Sequence, residues 1–200
     1  NLQYILKILL ITISYYHNYI VIAIVVVLVL LILYVISTYN GLVSLRNKKD
    51  DQWSQIDVQL KRRADLIPNL VEIVKGYAKH ESETLEKVIE ARNTYMTAKT
   101  PEEEMKASGE VTQALNKLLA LSEAYPELKA NQNFLGLQGD VSDTEDKISY
   151  ARQFYNDSVL TYNNKVQMFP SNIIAGMFNF TKASFFEVSD SDKEAPKISF

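Results

Sequence analysis

The apolar positions of this chain form one unbroken run near the N-terminus, followed by several amphipathic stretches. The run covers residues 19–36, from Tyr19 to Ile36, and reads YIVIAIVVVLVLLILYVI without a charged side chain. An α-helix of this length covers about 27 Å, close to the roughly 30 Å hydrocarbon thickness of a bilayer. The run predicts a transmembrane helix. The alternative, a buried core helix, is disfavoured because a helix that is apolar on every side has no place in a small soluble bundle.

The segment before this run, residues 1–18, is apolar but interrupted. On a helix its polar side chains fall within about 100° of arc and leave a wide apolar face. We expect an interfacial helix or a short re-entrant leg packed beside a span. A cleaved signal peptide is the competing interpretation, and the missing small-residue cleavage pattern disfavours it. The polar side chains of this segment are Gln3, Lys7, Ser14, His17 and Asn18.

After the span, apolar residues recur at steps of three and four through most of residues 37–186, which is typical of amphipathic helices. No strand pattern of comparable length is present. The pattern predicts an all-α fold, in which a single N-terminal transmembrane helix is followed by an antiparallel bundle of long helices. The predicted helices run from the span to about residue 66 and end at Pro68, then cover about 69–99, 101–124 and 134–168.

A short apolar segment follows Pro170 and carries many large side chains for its length. In one interpretation it folds back and closes the end of the bundle. In the other it is an assembly contact that docks into a neighbouring subunit or partner. Its apolar residues are Ile173, Ile174, Met177, Phe178, Phe180, Phe185 and Phe186, and we predict a polar tail over residues 187–200.

Composition removes several kinds of chemistry from consideration. The chain has no cysteine, which excludes disulfides, thiolate metal sites and a cysteine nucleophile. Its two histidines, His17 and His80, have no metal-site spacing, and glycine-rich phosphate loops are missing. A net charge of −3 is unlike a dedicated nucleic-acid binder. We therefore predict no catalytic residue, no cofactor, no metal and no nucleic-acid partner.

Charged residues inside the helical pattern predict internal ion pairs instead. Neighbouring positions on a helix point about 100° apart, so part of the run Lys61, Arg62 and Arg63 must face the other helices. A buried arginine needs a carboxylate, since an unpaired buried charge costs several kcal/mol. A ligand or anionic-lipid site is the alternative. The predicted ion-pair residues are Arg62, Arg63, Asp65, Glu72, Arg92 and Arg152, with Glu123 and Glu145 as further acidic candidates.

Basic residues flanking the span predict its orientation. Lys7 alone precedes it, whereas Arg46, Lys48 and Lys49 follow shortly after it. Because Lys and Arg are enriched in cytoplasmic flanks, we expect the C-terminal body in the cytoplasm and the N-terminus outside.

The sequence contains several long and specific blocks, among them YNGLVSLRN at residues 39–47, WSQIDVQLKRRADLIPNLV at 53–71, AYPELKAN at 124–131 and ARQFYN at 151–156. These blocks closely resemble the LemA family of bacterial membrane proteins. The resemblance implies one N-terminal span, a helical bundle on the cytoplasmic side and no established enzymatic activity. Some members are linked to magnetosome membrane formation, which implies a membrane-shaping role. Residues 1–18 are an addition that the resemblance does not explain.

The resulting hypothesis is a non-enzymatic, membrane-anchored helical scaffold of the bacterial inner membrane. It would self-associate into a homo-oligomer that shapes or coats the bilayer. The alternative is an adaptor or regulator that binds a membrane protein partner, such as a protease, a sensor or a stress-response complex. A hydrolytic or metal-dependent activity is a third hypothesis.

Overall fold

The structure is a computed structural model that describes residues 2–187. The predicted all-α fold is confirmed, and no strand occurs among the described residues. The predicted polar tail lies outside this range except for Glu187. The helices are α1 (Leu2–Tyr77), α2 (Ser82–Thr97), α3 (Pro101–Ala124), α4 (Pro126–Lys129), α5 (Gln132–Gln167) and α6 (Ser171–Met177).

The chain forms two compact units. Of the described residues, the first unit contains 2–45 together with Asn164–Thr181, and the second contains Arg46–Asn163 together with 182–187. The helices α1 and α5 each contribute residues to both units. The predicted leg, span and first bundle helix are therefore consecutive parts of one helix.

The end of α1 differs from the prediction. We expected Pro68 to end this helix, but it continues to Tyr77, so residues 69–77 belong to α1 and not to a second helix. A proline inside a helix costs about 3 kcal/mol. Burial of a Leu, Ile or Val side chain contributes about 1.5–3 kcal/mol, and buried Ile67, Leu70 and Val74 continue the apolar stripe past the proline. Packing thus outweighs the local cost.

Two of the later helices, α3 and α5, begin at capping residues. Thr100 accepts a hydrogen bond from the backbone N–H of Glu103 at 3.2 Å, and Pro101 is the first residue of α3. Asn131 does the same for α5, since its Oδ1 accepts from the N–H of Phe134 at 3.0 Å. The sequence predicted the first start correctly and placed the second two residues late.

In the second unit, α1, α2, α3 and α5 pack around one apolar core. The turn between α1 and α2 is part of it, because Ala78 is fully buried. Trp53 on α1 lies edge-on to Tyr155 on α5, with ring centroids 5.4 Å apart. Fully buried members include Ile56, Ile67, Leu70, Val74, Leu118, Leu128, Phe134 and Val159.

In the first unit, α6 turns back onto α1. The ring of Tyr39 lies 4.8 Å from that of Phe178 and 5.8 Å from that of Phe180. The turn between α5 and α6 is held by Ser171, whose hydroxyl donates to the carbonyls of Lys165 and Met168. The first part of the C-terminal apolar segment therefore packs against its own chain.

Candidate functional site

The apolar surface of α1 is the most extensive exposed feature among the described residues. Tyr19 and Ile36, the ends of the predicted span, are exposed, and the most apolar 18-residue stretch of the helix has no residue buried by the chain. This helix is long and apolar enough to cross a membrane. It is therefore a candidate membrane span.

Arg63 is the most deeply buried charged side chain in the described range, at 1% exposure. One terminal nitrogen, Nη1, donates to Glu145 on α5 and to the Thr112 hydroxyl at 2.8 Å. The other, Nη2, donates to the carbonyl and hydroxyl oxygens of Ser108 at 3.0 and 2.9 Å. Its Nε has no partner in this part of the chain. Arg63 thus connects α1, α3 and α5, and the acidic side chain it meets is one of the four expected from the sequence.

The structure places the other predicted ion-pair residues differently. Arg62, Asp65 and Glu72 are exposed, and none of them forms an ion pair within residues 2–187. Arg62 lies near Asp143 and helps to lower the pKa of that carboxyl, after the larger effect of Lys147. Arg152 lies over the ring of Phe186, with its guanidinium carbon 5.9 Å from the ring centroid.

Arg92 pairs with the backbone. Its Nε donates to the carbonyl oxygen of Ala64 at 3.0 Å. In an uninterrupted helix that carbonyl would accept from the residue four positions later, which here is Pro68 and has no N–H. Arg92 on α2 therefore satisfies the acceptor that Pro68 leaves open on α1.

A second cluster of polar side chains lies between α1, α2 and α3. The hydroxyl of Tyr95 donates to Asp57 at 3.2 Å, and burial, followed by the charge of Asp57, raises the pKa of Tyr95. Burial and the charge of Asp57 also raise the pKa of Glu104, while a hydrogen bond from Trp53 opposes the rise. One oxygen of Glu104 is buried without a hydrogen-bond partner among the described residues. This carboxyl is therefore held in an unfavourable position when ionised.

The predicted C-terminal assembly residues divide into two sets. Ile174 and Phe180 are buried in the first unit, and Phe186 is buried in the second, where its ring lies 6.1 Å from that of Trp53. The side chains that remain exposed are Ile173, Met177, Phe178 and Phe185. The second set alone is accessible to a lipid or a partner in this structure.

Two asparagines that the sequence analysis did not single out hold the chain beyond α6. Asn163 binds both backbone groups of Ala183, each at 2.9 Å. Asn156 binds both backbone groups of Phe186 in the same way, at 3.0 and 2.8 Å. The two are seven residues apart on α5, which places them on one face. That spacing was visible in the sequence, but the pairing with an extended segment was not.

Tyr155 also contacts this extended segment. Its hydroxyl donates to the carbonyl of Ser184 at 3.0 Å. Burial raises the pKa of Tyr155 to about 12, with smaller effects from Glu102 and Asp50. The side chain is therefore a neutral donor at physiological pH. Of the residues that the structure describes, no three His, Asp or Glu side chains come together as a metal site.

Two exposed aromatic residues on α5 were also missed. Tyr150 and Phe154 are 68% and 60% exposed and lie one turn apart on the outer face of this helix. They were overlooked because Ile148, Ala151 and Tyr155 already account for an apolar stripe. Two large aromatic residues outside that stripe were the feature of the sequence that could have revealed this exposed surface.

Sequence comparisons relate this chain to known proteins. The model of the LemA family matches residues 52–200. Magnetosome proteins MamQ 1 and MamQ 2 of Paramagnetospirillum magneticum are each 25% identical over 179 residues, covering 76% of this chain and 66% of their own length. Protein LemA of Metamycoplasma hominis is 27% identical over 158 residues, covering 77% of this chain and 71% of its own. The chain thus spans just under two thirds of the MamQ relatives.

Proposed function

The chain belongs to the LemA family, and from this premise we propose that it is a non-enzymatic helical scaffold, anchored in the inner membrane, that self-associates. The apolar surface of α1 is the observation that carries the proposal. Between Tyr19 and Ile36 it is left uncovered by the chain. Contact of such a surface with water is unfavourable, whereas bilayer hydrocarbon covers it without leaving a backbone group unpaired.

The flanking charges support one orientation of the span. Arg46, Lys48 and Lys49 on the C-terminal side favour the second unit in the cytoplasm. Because the chain has no cysteine, single-cysteine variants test this directly. We expect Met96→Cys to react with a membrane-impermeant maleimide only after cells are opened. Reaction in intact cells would place the second unit outside.

The self-association part of the proposal uses the exposed face of α5. Tyr150 and Phe154 present large apolar side chains there, and aromatic residues are enriched in the centres of protein interfaces. Both belong to the second unit, away from the span in sequence. A lateral contact through this face would bring neighbouring anchors together, and repetition of that contact gives a ring or an extended array. The resemblance to magnetosome proteins supports a membrane-shaping use of such an array.

Particle mass in detergent and in lipid nanodiscs tests this assembly. We expect the wild-type protein to form oligomers and the double variant Tyr150→Ser/Phe154→Ser to shift to smaller species. The matched control is Ile89→Ser/Met96→Ser, which removes two exposed apolar side chains from α2. Loss of assembly in the control variant alone would overturn the assignment to α5.

A wild-type protein that stays monomeric in both media would overturn the scaffold. The adaptor hypothesis would then be preferred, in which the bundle surface binds a different membrane protein. Co-purification of one stoichiometric partner with this monomer would support that alternative.

A further inference from the structure

The turn between α5 and α6, together with α6, carries an exposed apolar surface in the first unit. We call it the corner surface and define it as Met168, Phe169, Ile173, Met177 and Phe178. Phe169 is the most exposed of these, at 80%. The opposite side of α6 is buried within the chain. The segment thus has two apolar sides. One packs against the rest of the chain, and the other remains exposed.

The position of the corner surface is set by its contact with α1. Tyr39 meets Phe178 and Phe180 at centroid distances of 4.8 and 5.8 Å. Tyr39 follows Ile36, the last residue of the candidate span, by three residues. At 1.5 Å per residue it lies about 4.5 Å further along the helix axis.

This distance places the contact at the level of the lipid headgroups. A bilayer is about 40–45 Å thick with its headgroups and about 30 Å without them, so each interfacial layer is about 5–7 Å deep. The rings of Phe178 and Phe180 contact α1 within that depth. The exposed side chains next to them are therefore within reach of this interfacial layer.

The charge of this part of the chain suits a bacterial membrane. No Asp or Glu occurs between Asp157 and Glu187, and the charged residues in between are Lys165 and Lys182. An anionic lipid surface would meet no carboxylate from this segment, and lysines at such a boundary interact favourably with it. Exposed aromatic and apolar side chains beside basic ones are typical of interfacial segments.

We propose that the corner surface is a second membrane contact, in which the α5–α6 turn and α6 lie in the interfacial layer beside the span. This inference rests on the proposed function, because it takes α1 as the span. The lipid interface is the occupant because this surface contacts α1 at Tyr39, only three residues beyond the end of the candidate span. Docking of the same side chains into a second copy of the chain is the competing outcome.

Depth-dependent quenching of a fluorophore tests this contact in the full chain. Phe169→Cys and Met177→Cys each carry an environment-sensitive label, and Met96→Cys on α2 is the matched control outside the corner surface. The proteins are placed in vesicles of phosphatidylcholine and phosphatidylglycerol, with nitroxide lipids labelled either near the headgroup or near the chain end. We expect labels at Phe169 and Met177 to lose most of their emission to the shallow nitroxide, and the label at Met96 to keep it.

A label at Val27→Cys, in the middle of the apolar run, tests the membrane span separately from the membrane contact of the corner surface. We expect the deep nitroxide to quench it. Quenching at Val27 without quenching at Phe169 and Met177 would overturn the membrane contact and leave the span in place. It would point instead to contact between subunits. An unquenched label at Val27 would overturn the span and the inference that rests on it.

Discussion

Arg63 shows how one buried charge sets the relative position of three helices. Its planar guanidinium needs several acceptors in a fixed geometry, and Ser108, Thr112 and Glu145 supply them. A shift of α3 by one residue would break three of these bonds at once, and a shift of α5 would break the ion pair with Glu145. Removal of a buried partner is more costly than the net contribution of a hydrogen bond suggests, because the remaining groups stay desolvated.

The variant Arg63→Ala should be strongly destabilised. It leaves a cavity and removes the donor groups that meet Ser108, Thr112 and Glu145, so we expect a loss of about 3 kcal/mol in the free energy of unfolding. The exposed neighbour provides the control, since Arg62→Ala should change stability by less than about 0.5 kcal/mol. Urea unfolding in detergent, followed by circular dichroism, measures both. Equal losses would contradict a special role for Arg63.

Glu104 predicts an unusual pH dependence. Burial and the nearby Asp57 raise its pKa in the folded chain above the ordinary value of 4.5, so the folded state binds its proton more tightly than the unfolded state. This contribution to stability is present below 4.5 and is lost as the pH rises through the folded pKa. We expect Glu104→Gln to have a higher melting temperature than the wild type at neutral pH.

The difference between Glu104→Gln and wild type should shrink as the pH falls toward 4.5, the ordinary value for this carboxyl. Melting curves recorded across that range provide the measurement. Asp57→Asn serves as a second variant, because it removes the neighbouring charge and keeps an acceptor for Tyr95. A melting-temperature difference that is constant with pH would rule out titration of Glu104 as its source.

Within α1, continuity across Pro68 depends on a neighbouring helix. The proline removes one backbone donor, and Arg92 on α2 donates to the carbonyl of Ala64 in its place. The apolar stripe keeps the two halves of the helix on one core, and the arginine satisfies the remaining acceptor. The helix therefore continues where local propensity favours an end.

A double-mutant cycle tests whether Arg92 replaces the backbone N–H that Pro68 lacks. Arg92→Ala should be destabilising by about 1–2 kcal/mol when Pro68 is present, because the Ala64 carbonyl loses its partner. In the Pro68→Ala background the helix supplies its own N–H, so the same change should cost about 1 kcal/mol less. Urea unfolding gives the coupling energy. A coupling near zero would show that Arg92 acts through other contacts.

At the level of the complete chain, the segment formed by residues 182–187 is part of the second unit. Asn163 and Asn156 hold its backbone, and Phe186 fills a position beside Trp53. A deletion after Pro170 would remove this core residue as well as the exposed apolar surface. Such a deletion would confound folding with assembly, so point variants are the sharper tool.

The adjacent pair Phe185 and Phe186 gives a matched comparison. Phe186→Ala empties a buried site, and we expect a loss of about 3 kcal/mol in the free energy of unfolding. Phe185 is 42% exposed, and Phe185→Ala should cost much less. Thermal unfolding in detergent compares the two. If Phe185→Ala proves the more damaging, the extended segment binds with the opposite side toward the bundle.

Periodicity predicted those features that depend on one segment at a time. The start of α3 followed from Thr100 and Pro101, and the candidate span followed from its uninterrupted apolar run. The end of α1 was predicted wrongly because Pro68 was judged without the helix that satisfies Ala64. The candidate site behaved likewise: the sequence picked out seven apolar residues near the C-terminus, but their division into buried and exposed sets was not visible in it, and their role in assembly stays a prediction.

The resemblance of whole sequence blocks indicated the family to which the chain belongs, and the order of polar and apolar residues was sufficient to establish helices and an anchor-like first segment. These properties arise from local hydrogen bonding and from the fit of an apolar length to a bilayer, which are encoded along the chain. The packed fold settled which carboxylate meets Arg63, which carbonyl Arg92 satisfies and which side of α6 stays open. Those outcomes depend on contacts between residues tens of positions apart, where helix rotation and register select the partner.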